Sequence, residues 1–414
     1  MASSAALTRV LHADLFGRAK SKLFPNDTLP SDGIGYCRVS MAETLAGEPL
    51  TGADFSADRG HPDMLAIPDQ ATTRPVPWES DMSWMVADLV DFATGAEHTV
   101  PSDLCQRSVV RVAEAALAEL GLSAQVATEP EFYIVTPEQG LYSDVDGMVY
   151  TAGRRADPLG MIALLQRHLL GLGLPISAGN REFSPGQFEI NLVHTAPLAS
   201  ADDTFLFKEA VKEIVSLQGL QATFMARPFQ AHSGSSMHLH VSLWRDGRNA
   251  FAEDPTLMAH FTAGLVAHSA ALTAIASSTI NSYKRLNGGG VVAQRASVGD
   301  DNREAWIRQP AERGSATRLE LRGGDAASNP YLLIASALHA GVDGVQRRLT
   351  LPDTPPPLPS TLKAAIDALV KDAALVGGLG EELVGIYAAL KRDESDQYDR
   401  TVTDWEWRAY SQHA

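Results

Sequence analysis

M-H-L-H-V-S-L, residues 237–243, puts His238, His240 and Ser242 on one side of an extended chain and Met237, Leu239, Val241 and Leu243 on the other. Strand side chains alternate faces with period two, so the stretch reads as a strand with an apolar back and a polar front. Three further stretches repeat the pattern. T-E-P-E-F at 128–132 places Glu129 and Glu131 together, G-Q-F-E-I at 186–190 does so for Gln187 and Glu189, and R-L-E-L-R at 318–322 for Arg318, Glu320 and Arg322. Phe132, Phe188, Ile190, Leu319 and Leu321 fall on the backs. The four strands predict one sheet on a core, with a front of carboxylate, imidazole and guanidinium. Such a front is costly to desolvate unless something binds to it.

Helical periodicity surrounds these strands. Apolar positions three and four apart predict a helix from Val109 to Leu122, ended by Gly121. Further helices are expected over 157–172, 203–219, 255–278 and 329–348. Residues 1–100 are rich in Gly, Pro and Asp and carry short β-like runs. A stiff T-P-P-P-L-P linker at 354–359 leads into an apolar helical segment, 360–395, and a charged tail with Trp405 and Trp407. Strands mixed with helices, without regular βαβ alternation, predict an α+β fold with an antiparallel sheet. At 414 residues the chain exceeds what one core usually serves, so two domains are expected.

The bulk composition narrows the partners. Lys+Arg 34 against Asp+Glu 50 gives a net charge of −16, which argues against nucleic acid and leaves anion binding to locally placed arginines. Two cysteines, Cys37 and Cys105, imply no disulfide framework and fit a reducing cytoplasm. No apolar run approaches 18 residues and no signal-like leader opens the chain, so neither membrane spanning nor export is expected.

Six residues form the candidate metal site: Glu129, Glu131, Glu182, Glu189, His238 and Glu320. A single strand glutamate usually faces solvent, but here four strands repeat the arrangement. Five gathered carboxylates repel one another unless cations sit between them. Oxygen ligands with one imidazole suit Mg²⁺ or Mn²⁺, and two ions bridged by ATP oxygens suit phosphoryl transfer. Arginines cluster at 285, 303, 308, 313, 318 and 322. Arg285 precedes the glycine run of N-S-Y-K-R-L-N-G-G-G, 281–290, which reads as a flap beside a ligand. With no G-x-x-x-x-G-K-[ST] loop and no G-x-G-x-x-G, nucleotide binding must rest on metals and arginines. His232, His268 and both cysteines have no pattern around them and read as structural or surface residues.

Taken in order, these motifs resemble the glutamine synthetase family over nearly the whole chain. P-D-Q-A-T-T-R-P-V-P-W at 68–78, E-P-E-F at 129–132, E-F-S-P-G-Q-F-E-I at 182–190 and S-G-S-S-M-H-L-H at 233–240 all take part. So do F-K-E-A-V-K at 207–212, A-T-F-M-A-R-P at 222–228, N-S-Y-K-R-L at 281–286, N-R at 302–303, R-L-E-L-R and N-P-Y-L at 329–332. The resemblance implies a small β-grasp-like N-terminal domain, 1–104, before a catalytic domain, 105–414, with a curved antiparallel sheet flanked by helices. It implies an inner metal site of Glu131, Glu182 and Glu189 and an outer one of Glu129, His238 and Glu320. Arg285 would meet the α-carboxylate of glutamate, Gly234 O its α-amine, and Arg322 the reacting γ-carboxylate. ATP would fall to His240, Ser242, Arg308 and Arg318, with Arg303 on the transferring phosphate. The implied reaction is ATP-dependent formation of γ-glutamyl phosphate followed by attack of an amine. The implied assembly is a dodecamer of two hexameric rings, with the N-terminal domain completing a neighbour's active site. The apolar 360–395 segment is expected to form a subunit contact.

The departures bear on the acceptor. Counted from Arg285 to Arg303, the family's ammonium-binding flap glutamate falls at Val291. Its N-terminal ammonium-cradling aspartate has no clean counterpart; Asp54 and Asp58 are the candidates. A valine there opens and neutralises the pocket, which favours an organic amine, uncharged or a monoamine rather than a polyamine. Ser233 stands where the family carries asparagine and Ser315 where it carries lysine, with Arg313 a possible substitute. Ordinary glutamine synthesis from ammonium and a non-catalytic relative stay open as alternatives.

Overall fold

The structure, a computed structural model, describes residues 6–50, 60–92, 99–143, 145, 149–288 and 292–413. Gly289, Gly290 and Val291 of the flap, together with Asp54 and Asp58, lie outside the described residues.

Two sheets organise the chain. The first comprises β1 (Leu7–Ala13), β2 (Ala19–Pro25), β3 (Ile34–Cys37), β4 (Asp63–Pro68), β5 (Arg74–Pro75), β6 (Met82–Phe92) and β7 (Thr99–Pro101). Its strand order is β2-β1-β6-β4-β3, with β5 and β7 also pairing β6, and the β1–β6 pair is parallel. The second holds β8 (Ser123–Val135), β9 (Ile176–Arg181), β10 (Gln187–Leu192), β11 (Gln221–Thr223), β12 (Met237–Arg245), β13 (Arg248–Asn249), β14 (Val298–Asp300), β15 (Ile307–Gln309) and β16 (Leu319–Leu321). It runs β14-β15-β16-β12-β8-β10-β9 and is antiparallel except for the β14–β15 edge pair.

The expected two-faced strands are the centre of this second sheet. Phe132, Phe188, Ile190, Met237, Leu239, Val241, Leu319 and Leu321 are all buried on its back. Phe132 packs against α3 (Pro197–Ser216), where it meets Phe207 ring to ring at 6.2 Å. The other helices are α1 (Gln106–Glu119), α2 (Met161–Gly171), α4 (Ala250–Glu253), α5 (Pro255–Ala267), α6 (Ser269–Ala276), α7 (Ile280–Leu286), α8 (Pro330–Arg347), α9 (Leu362–Leu369), α10 (Ala373–Leu379), α11 (Glu381–Arg400) and α12 (Asp404–Tyr410).

Differences from the expected helices have local causes. The helix expected at 203 begins at Pro197, because a proline in the first turn costs no helical N–H. The one expected at 157 begins at Met161, since the Asp157 carboxylate accepts from the backbone N–H of Met161 at 2.7 Å and Ile162 at 3.0 Å. The 255–278 segment is two helices meeting at 72°. At that bend His268 Nδ1 lies 2.7 Å from Asp372 and Nε2 2.9 Å from Asp343, so the imidazole ties α8 to the start of α10. The 360–395 segment breaks into α9, α10 and α11. Its apolar residues, Leu362, Ile366, Leu369, Leu383, Tyr387 and Leu390 among them, are buried inside the same chain. Their apolar faces are therefore covered within the chain, α9 and α11 packing together and α9 on α6, so the apolar composition by itself does not call for a subunit contact.

Two junctions fix the layers. Arg107 on α1 is buried among Asp69, Asp88 and Asp202, each 2.9 Å away, and joins the first sheet to α3. Tyr331 on α8 donates to Asp202 at 2.7 Å. Helices α5 and α8 cross at glycines: a Cβ on Gly264 would lie 2.1 Å from Ala340 O and 2.8 Å from Gly344 Cα. Among the described residues no single helix is long and apolar enough to cross a membrane.

Candidate active site

The register of the second sheet brings the polar fronts together. Glu129 faces His238 across β8–β12, Glu131 faces Glu189 across β8–β10, and His240 faces Glu320 across β12–β16. Glu129, His238 and Glu320 form one cluster of possible ligand atoms, and Glu131, Glu189 and His238 a second. The first is the trio expected for an outer site. The second shares His238 and omits Glu182, whose carboxylate accepts from Asn180 Nδ2 at 2.8 Å beside the cluster.

The electrostatics follow from this crowding. Burial, then the charges of Glu129, Glu131 and Glu182, pushes the Glu189 carboxyl up to about 9. Burial, then Glu131, raises Glu182 to about 7. Glu129 is also desolvated, but His238 and His240 outweigh burial and hold its carboxyl far below the usual range. Glu320 behaves alike, with burial overcome by His238, His240, Arg322 and Arg308. His238 Nδ1 stands 3.5 Å from Glu129 and 3.6 Å from Glu320 and makes no hydrogen bond, although it is buried. A buried imidazole nitrogen without a partner, ringed by carboxylates, fits hard divalent cations with oxygen and one nitrogen ligand.

The arginines divide. Arg322 Nη1 bonds Glu320 Oε1, and Arg308 Nη1 lies 2.7 Å from Glu320 Oε2. Arg308 also holds Asp301, and Arg322 Nε donates to Arg303 O at 3.0 Å. Arg318 turns instead to His240 Nδ1 at 3.2 Å. Arg303 is exposed. Arg313 donates to the carbonyls of Pro310 and Glu312, its own turn, while Ser315 gives its carbonyl to Asn249 at 3.1 Å. Ser242 accepts from Trp244 Nε1 at 2.9 Å. Arg285 is buried on α7, whose first N–H, on Ile280, donates to Glu394 of α11 at 2.9 Å.

Residues beyond the expected set complete the site. Gln187 is buried and donates to Glu131 Oε2 at 3.1 Å and to Gly234 O at 3.0 Å. Ser236 N donates to the same Glu131 oxygen at 2.9 Å. Tyr133 reaches Ser233 O at 2.7 Å and Asn191 reaches Glu189 at 3.2 Å. Gln187 was visible as a front-face residue of its strand. Asn191 lies two residues from Glu189 on the same strand face, whereas Ser236 and Tyr133 carry no sequence signal of their own, because their partners come from distant segments.

A two-faced sheet thus carries an acid, imidazole and guanidinium front suited to divalent cations and anionic groups, and the comparisons give its family. The glutamine synthetase catalytic-domain model matches residues 103–410. A glutamine synthetase of Methanocaldococcus jannaschii is 32% identical over 383 residues, covering 84% of this chain and 83% of that protein. The gamma-glutamylethanolamide synthetase GlnA4 of Streptomyces coelicolor is 32% identical, covering 95% and 90%. A glutamate–isopropylamine ligase of a Pseudomonas species is 30% identical, covering 92% and 88%. Among solved structures, a GmaS/ADP complex superimposes with a TM-score of 0.86 at 29% identity, covering 98% of this chain and 96% of that one. The chain belongs to the glutamine synthetase family, whose members form C–N bonds using ATP and divalent metals.

Proposed function

We propose that the protein joins the γ-carboxylate of glutamate to an organic amine. The observation that carries this reading is Val291, which stands where the family's ammonium-binding flap glutamate falls. The names of two relatives, an ethanolamide synthetase and an isopropylamine ligase, support it.

In this reading Glu131, Glu182 and Glu189 hold one divalent cation and Glu129, His238 and Glu320 another. Cations there, Mg²⁺ or Mn²⁺, supply charge neutralisation to the transferring phosphoryl group. Arg285 holds the α-carboxylate of glutamate and Gly234 O its α-amine. Arg322 orients the γ-carboxylate, whose oxygen attacks the γ-phosphorus of ATP while ADP departs with the bonding pair. His240, Ser242, Arg308 and Arg318 hold the nucleotide, and Arg303, exposed beside Arg322, offsets charge on the phosphate. The amine then attacks the acyl carbon, phosphate leaves, and the nitrogen's proton passes to a carboxylate. The division at 104/105, the two-ring dodecamer and a cytoplasmic location belong to the same reading.

A panel of amines assayed by phosphate release, with glutamate and ATP fixed, tests the acceptor. An alkyl, aromatic or hydroxyalkyl monoamine should outperform ammonium in kcat/KM. Glutamine formation from ammonium as fast as from any amine would instead identify an ordinary glutamine synthetase, with Asp54 or Asp58 supplying the missing charge.

A further inference from the structure

Arg285 is a buried cation with an incomplete set of partners. It is 4% exposed, its Nη2 donates to Ser236 Oγ at 2.7 Å, and its Nη1 makes no hydrogen bond. Its stem has no slack, since a Cβ on Gly234 would come within 2.8 Å of Arg285 Cγ and 2.9 Å of Cδ. A charge buried this deeply is costly unless its surroundings offset it.

Asp325 supplies part of that offset. This aspartate is 0% exposed, its Oδ1 accepts from Ala327 N at 3.0 Å, and its Oδ2 is without a hydrogen bond. Ser236 and Asp325 face each other in an isolated antiparallel bridge. The backbone locks the two segments further, with Ala326 N donating to Ser235 O and Met237 N to Gly324 O, both at 3.2 Å. Burial pushes the Arg285 guanidinium below its ordinary value, and of the charges that oppose this Asp325 acts most strongly, ahead of Glu131. The serine that orients the guanidinium and the aspartate that balances it are therefore held on paired backbone.

We propose that Ser236 and Asp325 are positioning residues for the carboxylate subsite: together they fix Arg285 in place and keep one of its donors uncommitted for the α-carboxylate of the substrate. This rests on reading Arg285 as the residue that meets that carboxylate. Charge-assisted, planar recognition depends on the fork being aimed beforehand, so loosening it should weaken binding more than turnover.

The test is steady-state kinetics on Ser236→Ala, Asp325→Asn, Arg285→Lys and Ser328→Ala. Ser328 donates to the Asp325 carbonyl at 2.8 Å and serves as a control for damage to the turn alone. Ser236→Ala and Asp325→Asn should raise KM for glutamate by about tenfold or more, with kcat and KM for ATP within about twofold. Ser328→Ala should leave KM for glutamate unchanged. If Arg285→Lys raises that KM and neither Ser236→Ala nor Asp325→Asn does, the positioning role is wrong while the reading of Arg285 survives. If Arg285→Lys leaves it unchanged, that reading falls and the positioning role with it. An equal rise in Ser328→Ala would reduce the effect to turn structure and overturn the proposal. Should Asp325→Asn fail to fold, Ser236→Ala, which removes one hydroxyl, decides by itself.

Discussion

Glu131 and Glu189 stand directly opposite each other across β8–β10, a register in which like charges work against strand pairing. Gln187 and Ser236 donate to Glu131 and Asn191 to Glu189, all of them neutral, and the conflict shows in the Glu189 carboxyl, pushed up to about 9. The sheet holds this arrangement on a buried back that is apolar apart from Thr128, whose hydroxyl meets that of Thr204 at 2.8 Å.

Removing divalent cations with EDTA should abolish ATP turnover, and Mg²⁺ or Mn²⁺ should restore it. Glu320→Ala should lose at least about 100-fold in kcat/KM, beyond the 10–100-fold typical of outer partners. Undiminished turnover in that variant would remove Glu320 from the metal site.

Gln187→Ala should weaken Mn²⁺ binding by about 10–100-fold, because Gln187 ties Glu131 to the Gly234 carbonyl. Calorimetric titration of Mn²⁺ reads this directly, and an unchanged affinity would make Gln187 a packing residue only.

Val291→Glu should shift preference toward ammonium by about 1–3 kcal/mol, measured as the ratio of kcat/KM for ammonium and for the best organic amine. In the proposed reading, where position 291 faces the acceptor amine, activity with the organic amine should fall at the same time.

Arg107→Ala should destabilise the protein by about 3–5 kcal/mol, because it leaves Asp69, Asp88 and Asp202 facing one another without their shared cation. Denaturant unfolding checks the size. A loss under 1 kcal/mol would mean that water replaces the guanidinium.

The Asp372–His268–Asp343 bridge gives a pH dependence of definite sign. Burial opposes the imidazolium, but hydrogen bonds to Asp372 and Asp343 outweigh it and raise the pKa above its ordinary value. The stabilisation is therefore complete below the unfolded value of about 6.5 and is lost as pH rises through the folded one. Melting temperature followed from pH 5 to 9 should fall less steeply in His268→Gln than in the unmodified chain. Parallel curves would exclude the bridge as the titrating element.

The strand faces at 128–132, 186–190, 237–243 and 318–322 were legible because period-two alternation is a local property, and the polar front of the site came with them. Residues such as Ser236, Asp325 and Asn180 were not, since each matters through a partner supplied by pairing or by a turn. His268 read as unpatterned for the same reason: Asp343 and Asp372 lie 75 and 104 residues away. The apolar composition of 360–395 would be the same packed on another subunit or on its own chain, and only the fold shows its packing on α6 and within the segment.

The crossing of α5 and α8 carries a different kind of consequence. At Gly264 and Gly344 the helices meet backbone against backbone, and a Cβ on Gly344 would lie 2.3 Å from His260 O. No side chain on the facing helix can shrink to make room for one on the other. Mutational drift is thus barred at both positions together, and a change at either has no compensating partner to await.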